Sequence, residues 1–290
     1  MAIVELAGIT YAYPPLAPGL ESAGVLLGVN LCIEKGELVA LMGRTGAGKS
    51  TLCMCLNGVV PLSTGGRLHG DIRVLGHDPR HTPTSQLARE VALVYQDAES
   101  QLFMPTVEEE VAFGPENLGL PRAEVANRVA WALEVVGMEA MRHRPPSQLS
   151  GGQMKRVALA ANLAMLPRLL ILDEPFAGLD PAGRRQIAKT IDRIRTEQEV
   201  TVLIASADAE LVAETADRVA VLHQGRIVLD DVPQAVFAEA DVLAQARVGQ
   251  PAVAELASHL NQRLGTSYAW ITSHQARQDL ERLLTAEKPT

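Results

Sequence analysis

The chain has 290 residues, longer than one average domain, so one main domain with a smaller appendage is expected. Charged side chains make up 21% of it and the formal net charge is −8, which argues against nonspecific nucleic-acid binding through a broad basic face. The most apolar region, residues 157–172, is broken by Asn162, Pro167 and Arg168, and the N-terminus lacks a basic stretch followed by an apolar run, so a chain soluble by itself is expected.

Short apolar pieces at 3–10, 25–33 and 38–42, with a turn signal at Lys35-Gly36-Glu37, read as a small β layer. Tyr13, beside Pro14-Pro15, is an aromatic in a turn, either a stacking platform for a base or a strand-end residue. The run Leu38-Val39-Ala40-Leu41-Met42 then feeds Gly43-Arg44-Thr45-Gly46-Ala47-Gly48-Lys49-Ser50-Thr51, which satisfies G-x-x-x-x-G-K-[ST] and opens a helix-compatible stretch at 51–56. Its glycines let backbone N–H groups curl around phosphate oxygens, and the helix N-terminus adds partial positive charge at the same spot. Lys49 is placed for the terminal phosphates and the Ser50 hydroxyl for Mg²⁺, so strand, loop and helix together predict a nucleoside triphosphate site. Cys32, Cys53 and Cys55 all lie in apolar stretches, and the Cys-x-Cys at 53 and 55 lacks nearby ligand partners. All three are therefore expected to be small core residues in a reducing compartment.

Residues 65–76 read as another strand, and Val91-Ala92-Leu93-Val94-Tyr95-Gln96 as a buried strand ending in a polar side chain. A glutamine there, beside a phosphate site, can report on the γ-phosphate and Mg²⁺; in isolation it is an ordinary edge group. From Thr106 to about Leu163 the composition turns helical, with apolar residues at three- and four-residue spacing. Within this region Leu149-Ser150-Gly151-Gly152-Gln153 precedes a helix-like stretch at 154–166. Ser150 is a natural N-cap and the glycines expose backbone N–H groups, which makes a second anion-binding helix end on a different subdomain. A plain cap accounts for the serine but not for two glycines and a glutamine after it.

Leu169-Leu170-Ile171-Leu172-Asp173-Glu174-Pro175 has the unbroken apolar run of a strand buried on both faces of a parallel sheet, and such sheets place their chemistry at strand C-terminal ends. Both acids are thus expected near the phosphate loop, Asp173 in the Mg²⁺ shell and Glu174 orienting or deprotonating the attacking water. Ala177-Gly178-Leu179-Asp180 follows, then a helix at about 181–196, a buried strand at 200–206 and a closing hairpin across His223-Gln224-Gly225. From about residue 232 the chain is helix-compatible, notably at 253–264 and 275–284, and reads as a small appendage.

In this order and spacing, these motifs resemble the ATP-binding cassette (ABC) ATPases of membrane transporters, over about residues 1–231. The resemblance implies an α/β fold with a P-loop NTPase core carrying a parallel sheet, an antiparallel β subdomain, a helical signature subdomain at about 104–165, and the helical appendage at 232–290. In that family residues 43–51 are the Walker A loop, Gln96 the Q-loop glutamine, and 149–153 the signature. Asp173 is the Walker B acid, Glu174 the catalytic carboxylate, Asp180 the D-loop aspartate and Tyr13 the aromatic that stacks on adenine. The resemblance therefore implies ATP and Mg²⁺ as cofactors, with nucleotide contacts at Tyr13, at residues 43–51, Gln96 and Asp173, and at Ser150, Gly151, Gly152 and Gln153. It places catalysis on Glu174, Gln96 and Lys49, and Mg²⁺ on Ser50, Gln96 and Asp173. The family also implies a head-to-tail dimer, with ATP between one chain's Walker A and the other's signature.

Residues 96–103 and 107–117 are similar to the energy-coupling factor (ECF) branch and its cobalt or nickel uptake relatives. This implies an importer of a vitamin or metal ion, with a second ABC ATPase subunit, a transmembrane coupling subunit and a substrate-binding membrane protein as partners. It further implies a peripheral place on the cytoplasmic face of the cell membrane and an appendage that assists dimerisation, while the acidic balance and the single cassette argue against a nucleic-acid partner. One departure matters. The family carries a histidine after the last buried strand, where it contacts the γ-phosphate, whereas here the segment reads Ala205-Ser206-Ala207-Asp208. Losing one donor to developing phosphate charge costs about 2.7–4 kcal/mol, roughly a hundred- to thousandfold in rate. Slow hydrolysis at this chain's own Walker A is expected, which favours a heterodimer with a histidine-bearing paralogue. The alternative is a nucleotide-gated non-transport ABC protein, a switch on a soluble or nucleic-acid partner.

Overall fold

A computed structural model describes residues 1–15, 17 and 22–286; the last four residues of the expected appendage lie outside it. The described residues build two sheets. Strands β1 (Ala2–Ala12), β2 (Gly24–Glu34) and β4 (Arg67–Val74) form an antiparallel sheet in the order β2-β1-β4. Their side chains alternate between buried and exposed because only one face of this sheet is covered.

The second sheet runs β5-β6-β7-β3-β8-β9 and contains β3 (Leu38–Met42), β5 (Val91–Val94), β6 (Leu169–Asp173), β7 (Thr201–Ala205), β8 (Arg218–His223) and β9 (Arg226–Asp231). Every residue of β3, β5, β6 and β7 is buried, as the unbroken apolar runs require of parallel strands covered on both faces. All neighbours are parallel except β9, which returns antiparallel from the hairpin. The fold is therefore α/β, but 38–42 does not belong to the antiparallel layer expected for it: as β3 it runs parallel between β7 and β8, and β4 completes the antiparallel sheet instead.

The register fixes what comes together. Leu41 in β3 and Asp173 in β6 both pair with Ala205 in β7, so the segments leaving these strands emerge side by side. The helix Lys49–Leu56, leaving the loop after β3, lies between the two sheets with Leu52, Cys53, Cys55 and Leu56 fully buried. Helices Val107–Asn117, Arg122–Val136 and Gly151–Leu163 pack on one another and join the core on the β5 and β6 side.

Cys53 and Cys55 are core residues, and burial raises both thiols, Cys55 to about 12. Cys32 corrects the expectation made for all three cysteines: it sits at an outward position of β2, where strand alternation sends Leu31 and Ile33 inward instead.

At the C-terminal end, Val236, Phe237, Leu243 and Ile271 pack with Ala209, Val212 and Ala213 of helix Ala209–Thr215. Helices Ala252–Leu264 and Ser273–Ala286 close a small core of their own around Ala257, Trp270 and Ala276. Tyr268 stacks on Trp270 at 4.1 Å, and the indole N–H donates to Asp279. The Glu210 side chain accepts the N–H of Ala252, tying the 252–264 helix to the 209–215 helix. Among the described residues no helix is long and apolar enough to cross a membrane.

Candidate active site

Four segments leaving the C-terminal ends of the parallel strands converge on one cavity of about 490 Å³, lined among others by Gly48, Lys49, Ser50, Gln96, Asp173, Glu174 and Ala207. The loop after β3 can take its shape only with glycines at two points. A Cβ at Gly43 would lie 2.4 Å from the Leu222 carbonyl oxygen, and Gly48 has φ +108° where it caps the 49–56 helix. No side chain caps that helix, so its first N–H groups face the cavity.

Lys49 is buried, and its ammonium donates to the Gly43 carbonyl at 2.8 Å while standing 3.2 Å from Glu174 Oε1. The Glu174 backbone has φ +49° and its N–H donates to the Ala205 carbonyl at 2.8 Å. This turns its side chain back into the cavity, where Oε2 accepts the Ala207 N–H at 3.3 Å. Position 207 therefore offers the site only a backbone donor, already given to Glu174.

Asp173 is 5% exposed, and its Oδ1 is a buried oxygen with no hydrogen-bond partner among the described residues. Burial raises its pKa, Glu174 adds to the rise, and a hydrogen bond from Ser50 and the Lys49 charge oppose it. A buried, unsatisfied carboxylate oxygen beside a hydroxyl is the donor set of a hard cation, and the glycine cradle beside it admits phosphate. The residues present thus fit Mg²⁺ and a nucleotide.

The same arrangement predicts a stability effect. Because the folded-state pKa is raised, the favourable contribution of Asp173 is complete below the ordinary carboxylate range and is lost as pH rises through the raised value. Asp173→Asn is expected to stabilise the nucleotide-free chain at neutral pH by about 1–2 kcal/mol, converging with wild type on acidification. It should also remove the extra thermal stabilisation that Mg²⁺ adds to nucleotide. Thermal melts from pH 4 to 8, with and without Mg-ATP, check both; a variant less stable than wild type at pH 7 contradicts the sign.

Gln96 lies exposed after β5 and lines the cavity. Tyr13 stands beside the loop rather than in that lining: its hydroxyl is 3.2 Å from Thr51 Oγ1 and its ring meets Tyr11 edge-on.

Residues 150–153 are elsewhere, with Asp180, on a second cavity of about 610 Å³. Ser150 accepts the Gln153 N–H, and the Gln153 side-chain oxygen accepts the Ser150 N–H. This capping box corrects the reading that a cap leaves the glutamine unexplained: Ser-x-x-Gln is itself the cap. Asp180 likewise caps helix Pro181–Gln198 by accepting the Gly183 N–H at 2.7 Å.

Two basic residues that the sequence did not single out act on this region. Lys155 donates to the carbonyls of Ala177 and Glu174, tying the 151–163 helix to the segment after β6, and burial lowers its pKa. Arg184 bridges Leu179 and Asp208. Both use backbone carbonyls, which leave no signature in a sequence.

The ABC transporter family matches residues 26–177. The energy-coupling factor transporter ATP-binding protein EcfA of Methanocaldococcus jannaschii is 40% identical over 272 residues, covering 93% of this chain and 93% of the relative. EcfA of Methanothermobacter thermautotrophicus is 40% identical over 258 residues, 89% of this chain and 80% of its own. Among solved structures, cbiO1 of Clostridium perfringens, described as part of the ABC transporter complex cbiONQ, matches with a TM-score of 0.70 at 35% identity, over 88% of this chain and 98% of that one. The ATP-binding cassette MJ0796, 24% identical with a TM-score of 0.70 over 79% of this chain and 98% of that one, shares the fold.

Proposed function

This chain belongs to the ABC transporter family, and on that premise we propose that it is the ATP-hydrolysing subunit of an ECF-type importer of a vitamin or metal ion, with weakened hydrolysis at its own Walker A loop. The observation that carries this reading is the single cavity that gathers Lys49, Ser50, Gln96, Asp173 and Glu174 around Ala207. Bound Mg-ATP supplies the scissile phosphoanhydride and a cation that offsets its charge.

Lys49 is already desolvated and needs only to leave Glu174 and Gly43 to meet a phosphate. Ser50, Asp173 and Gln96 would hold the cation. Glu174, released from Lys49 and still oriented by the Ala207 N–H, takes a proton from the attacking water. Position 207 offers only a methyl group and a backbone N–H that Glu174 already accepts. Tyr13 would support the adenine from beside the loop.

The cavity at Ser150, Gly151, Gly152 and Gln153 is separate from this one, which supports a head-to-tail dimer in which each composite site takes one cavity from each chain. In a heterodimer with a histidine-bearing ATPase, this chain's intact signature completes the faster site. Residues 1–231 form the ABC domain and 232–290 the appendage that assists dimerisation.

Toward the membrane we assign the face after Gln96. Phe103, 64% exposed, meets Phe113 edge-on at 4.9 Å, an apolar pair left in solvent. The buried Glu110 carboxylate fixes the loop by accepting the N–H groups of Phe103 and Met104, each at 2.8 Å. This face suits a transmembrane coupling subunit, itself joined to a substrate-binding membrane protein, with the chain peripheral on the cytoplasmic side and no nucleic-acid partner.

Affinity capture of the tagged full chain from detergent-solubilised membranes tests the assignment. A second ATPase and hydrophobic subunits are expected with it. Capture of soluble or nucleic-acid partners alone overturns the importer and favours the nucleotide-gated switch, the reading that Ala207 otherwise supports.

A further inference from the structure

We infer that Arg184 is a positioning residue for hydrolysis: its bridge between Leu179 and Asp208 aims the Ala207 N–H at the Glu174 carboxylate. The inference rests on the ATPase reading above; Arg184 and Asp208 themselves lie outside the lining of that cavity.

Arg184 lies in the first turn of the 181–198 helix. Its Nε donates to the Leu179 carbonyl at 3.2 Å and one terminal nitrogen donates to Asp208 Oδ2 at 2.8 Å. The guanidinium is a rigid planar fork, so bonding at two points fixes the segment before Asp180 against the segment after β7. Asp208 is engaged on both oxygens, because Oδ1 accepts the Leu211 N–H and caps the 209–215 helix. Its own N–H donates to the hydroxyl of the fully buried Ser206.

Ala207 is therefore held between a fully buried, hydrogen-bonded residue on one side and a carboxylate clamped from both ends on the other. That fixes the direction of its N–H, the group that meets Glu174 Oε2 at 3.3 Å. With a methyl side chain at 207, the backbone N–H is what this position contributes to the site, so its aim matters more than it would beside a long polar side chain. An exposed ion pair contributes little to stability, whereas a small displacement of a reacting group is costly in rate. The effect of Arg184 should therefore appear in turnover and scarcely in folding.

The test is ATP turnover by the purified full chain, with affinity for a fluorescent ATP analogue and hydrogen exchange over residues 206–211 measured on the same samples. Arg184→Ala is expected to lower kcat about tenfold with analogue affinity within about twofold and Tm nearly unchanged. It should also speed exchange over 206–211. Arg184→Lys keeps a charged donor toward Asp208 and should recover most of the loss. Asp208→Asn keeps the Oδ1 cap but not the acceptor for the guanidinium, and should reproduce the loss without adding to that of Arg184→Ala.

Unchanged kcat or unchanged exchange in Arg184→Ala overturns the inference. So does a loss that lysine does not relieve, or one matched by an equal fall in analogue affinity. A wild-type chain that does not bind the analogue at all marks failure of the ATPase reading itself, and is told apart because it precedes any comparison of variants.

Discussion

Ala207→His is expected to raise ATP turnover at this chain's own Walker A loop by a hundred- to thousandfold, the rate equivalent of about 2.7–4 kcal/mol for one donor aimed at developing phosphate charge. Ala207 lies on the cavity wall facing Lys49, Ser50 and Glu174, and is exposed, so a longer side chain has room. An unperturbed imidazole is mostly neutral at pH 7 and still carries one N–H to donate. The backbone bond from Ala207 to Glu174 does not involve the side chain and should survive the substitution. Steady-state turnover of purified wild type and variant at saturating Mg-ATP measures the effect, with nucleotide affinity as the control. An unchanged kcat would sink the argument that the methyl group limits the rate. If the wild-type chain alone already turns over as fast as a histidine-bearing ATPase, another group does the work.

Glu174→Gln is the second large effect, and it runs in opposite directions on two quantities. Turnover should fall about a hundred- to ten-thousandfold, the usual span for loss of a general base. Nucleotide affinity should hold or rise. In the nucleotide-free form the Glu174 carboxylate sits 3.2 Å from the Lys49 ammonium, in a part of the site where both are largely sheltered from water. A phosphate must compete with that carboxylate for the same cation, and a neutral amide competes less. Gln also retains the length and the acceptor oxygen that meets the Ala207 N–H. Equilibrium titration with a fluorescent ATP analogue, set beside single-turnover hydrolysis, separates the two effects. Affinity falling in step with turnover contradicts the role given to the Lys49–Glu174 pair.

Together the two substitutions bracket the site. One supplies the missing donor and the other removes the base, and neither alters the loop that binds the nucleotide. Their combination should be no faster than Glu174→Gln alone, because a donor to the transferred phosphate cannot replace the group that activates water.

Much of this is legible in the residues alone. The glycine loop, the strand-end acids and the unbroken apolar runs are local patterns, each imposed by chemistry at a few adjacent residues, and they announced an α/β fold with a nucleotide site. Ala207 was visible too, as a departure from a family pattern. Local reading misjudged residues whose role depends on a neighbour. The Gln153 side chain bonds the Ser150 N–H three residues back, so the cap extends beyond the serine that the sequence pointed to. The apolar stretch around Cys32 points to the core, yet strand alternation sends Cys32 outward.

By itself, then, the sequence determined the kinds of element and the chemistry at their ends, because propensity, periodicity and backbone freedom act over a few residues. Only the tertiary structure decided which ends meet. The pairing of Leu41 and Asp173 with Ala205 sets three strand ends side by side and brings residues more than a hundred positions apart into one cavity. The same packing turns Glu174 toward Lys49 and the Ala207 N–H, and lets Arg184 span from Leu179 to Asp208. Hydrogen bonds to backbone groups carry these contacts. Every residue type offers such groups, so they leave no mark in a sequence until the chain is folded.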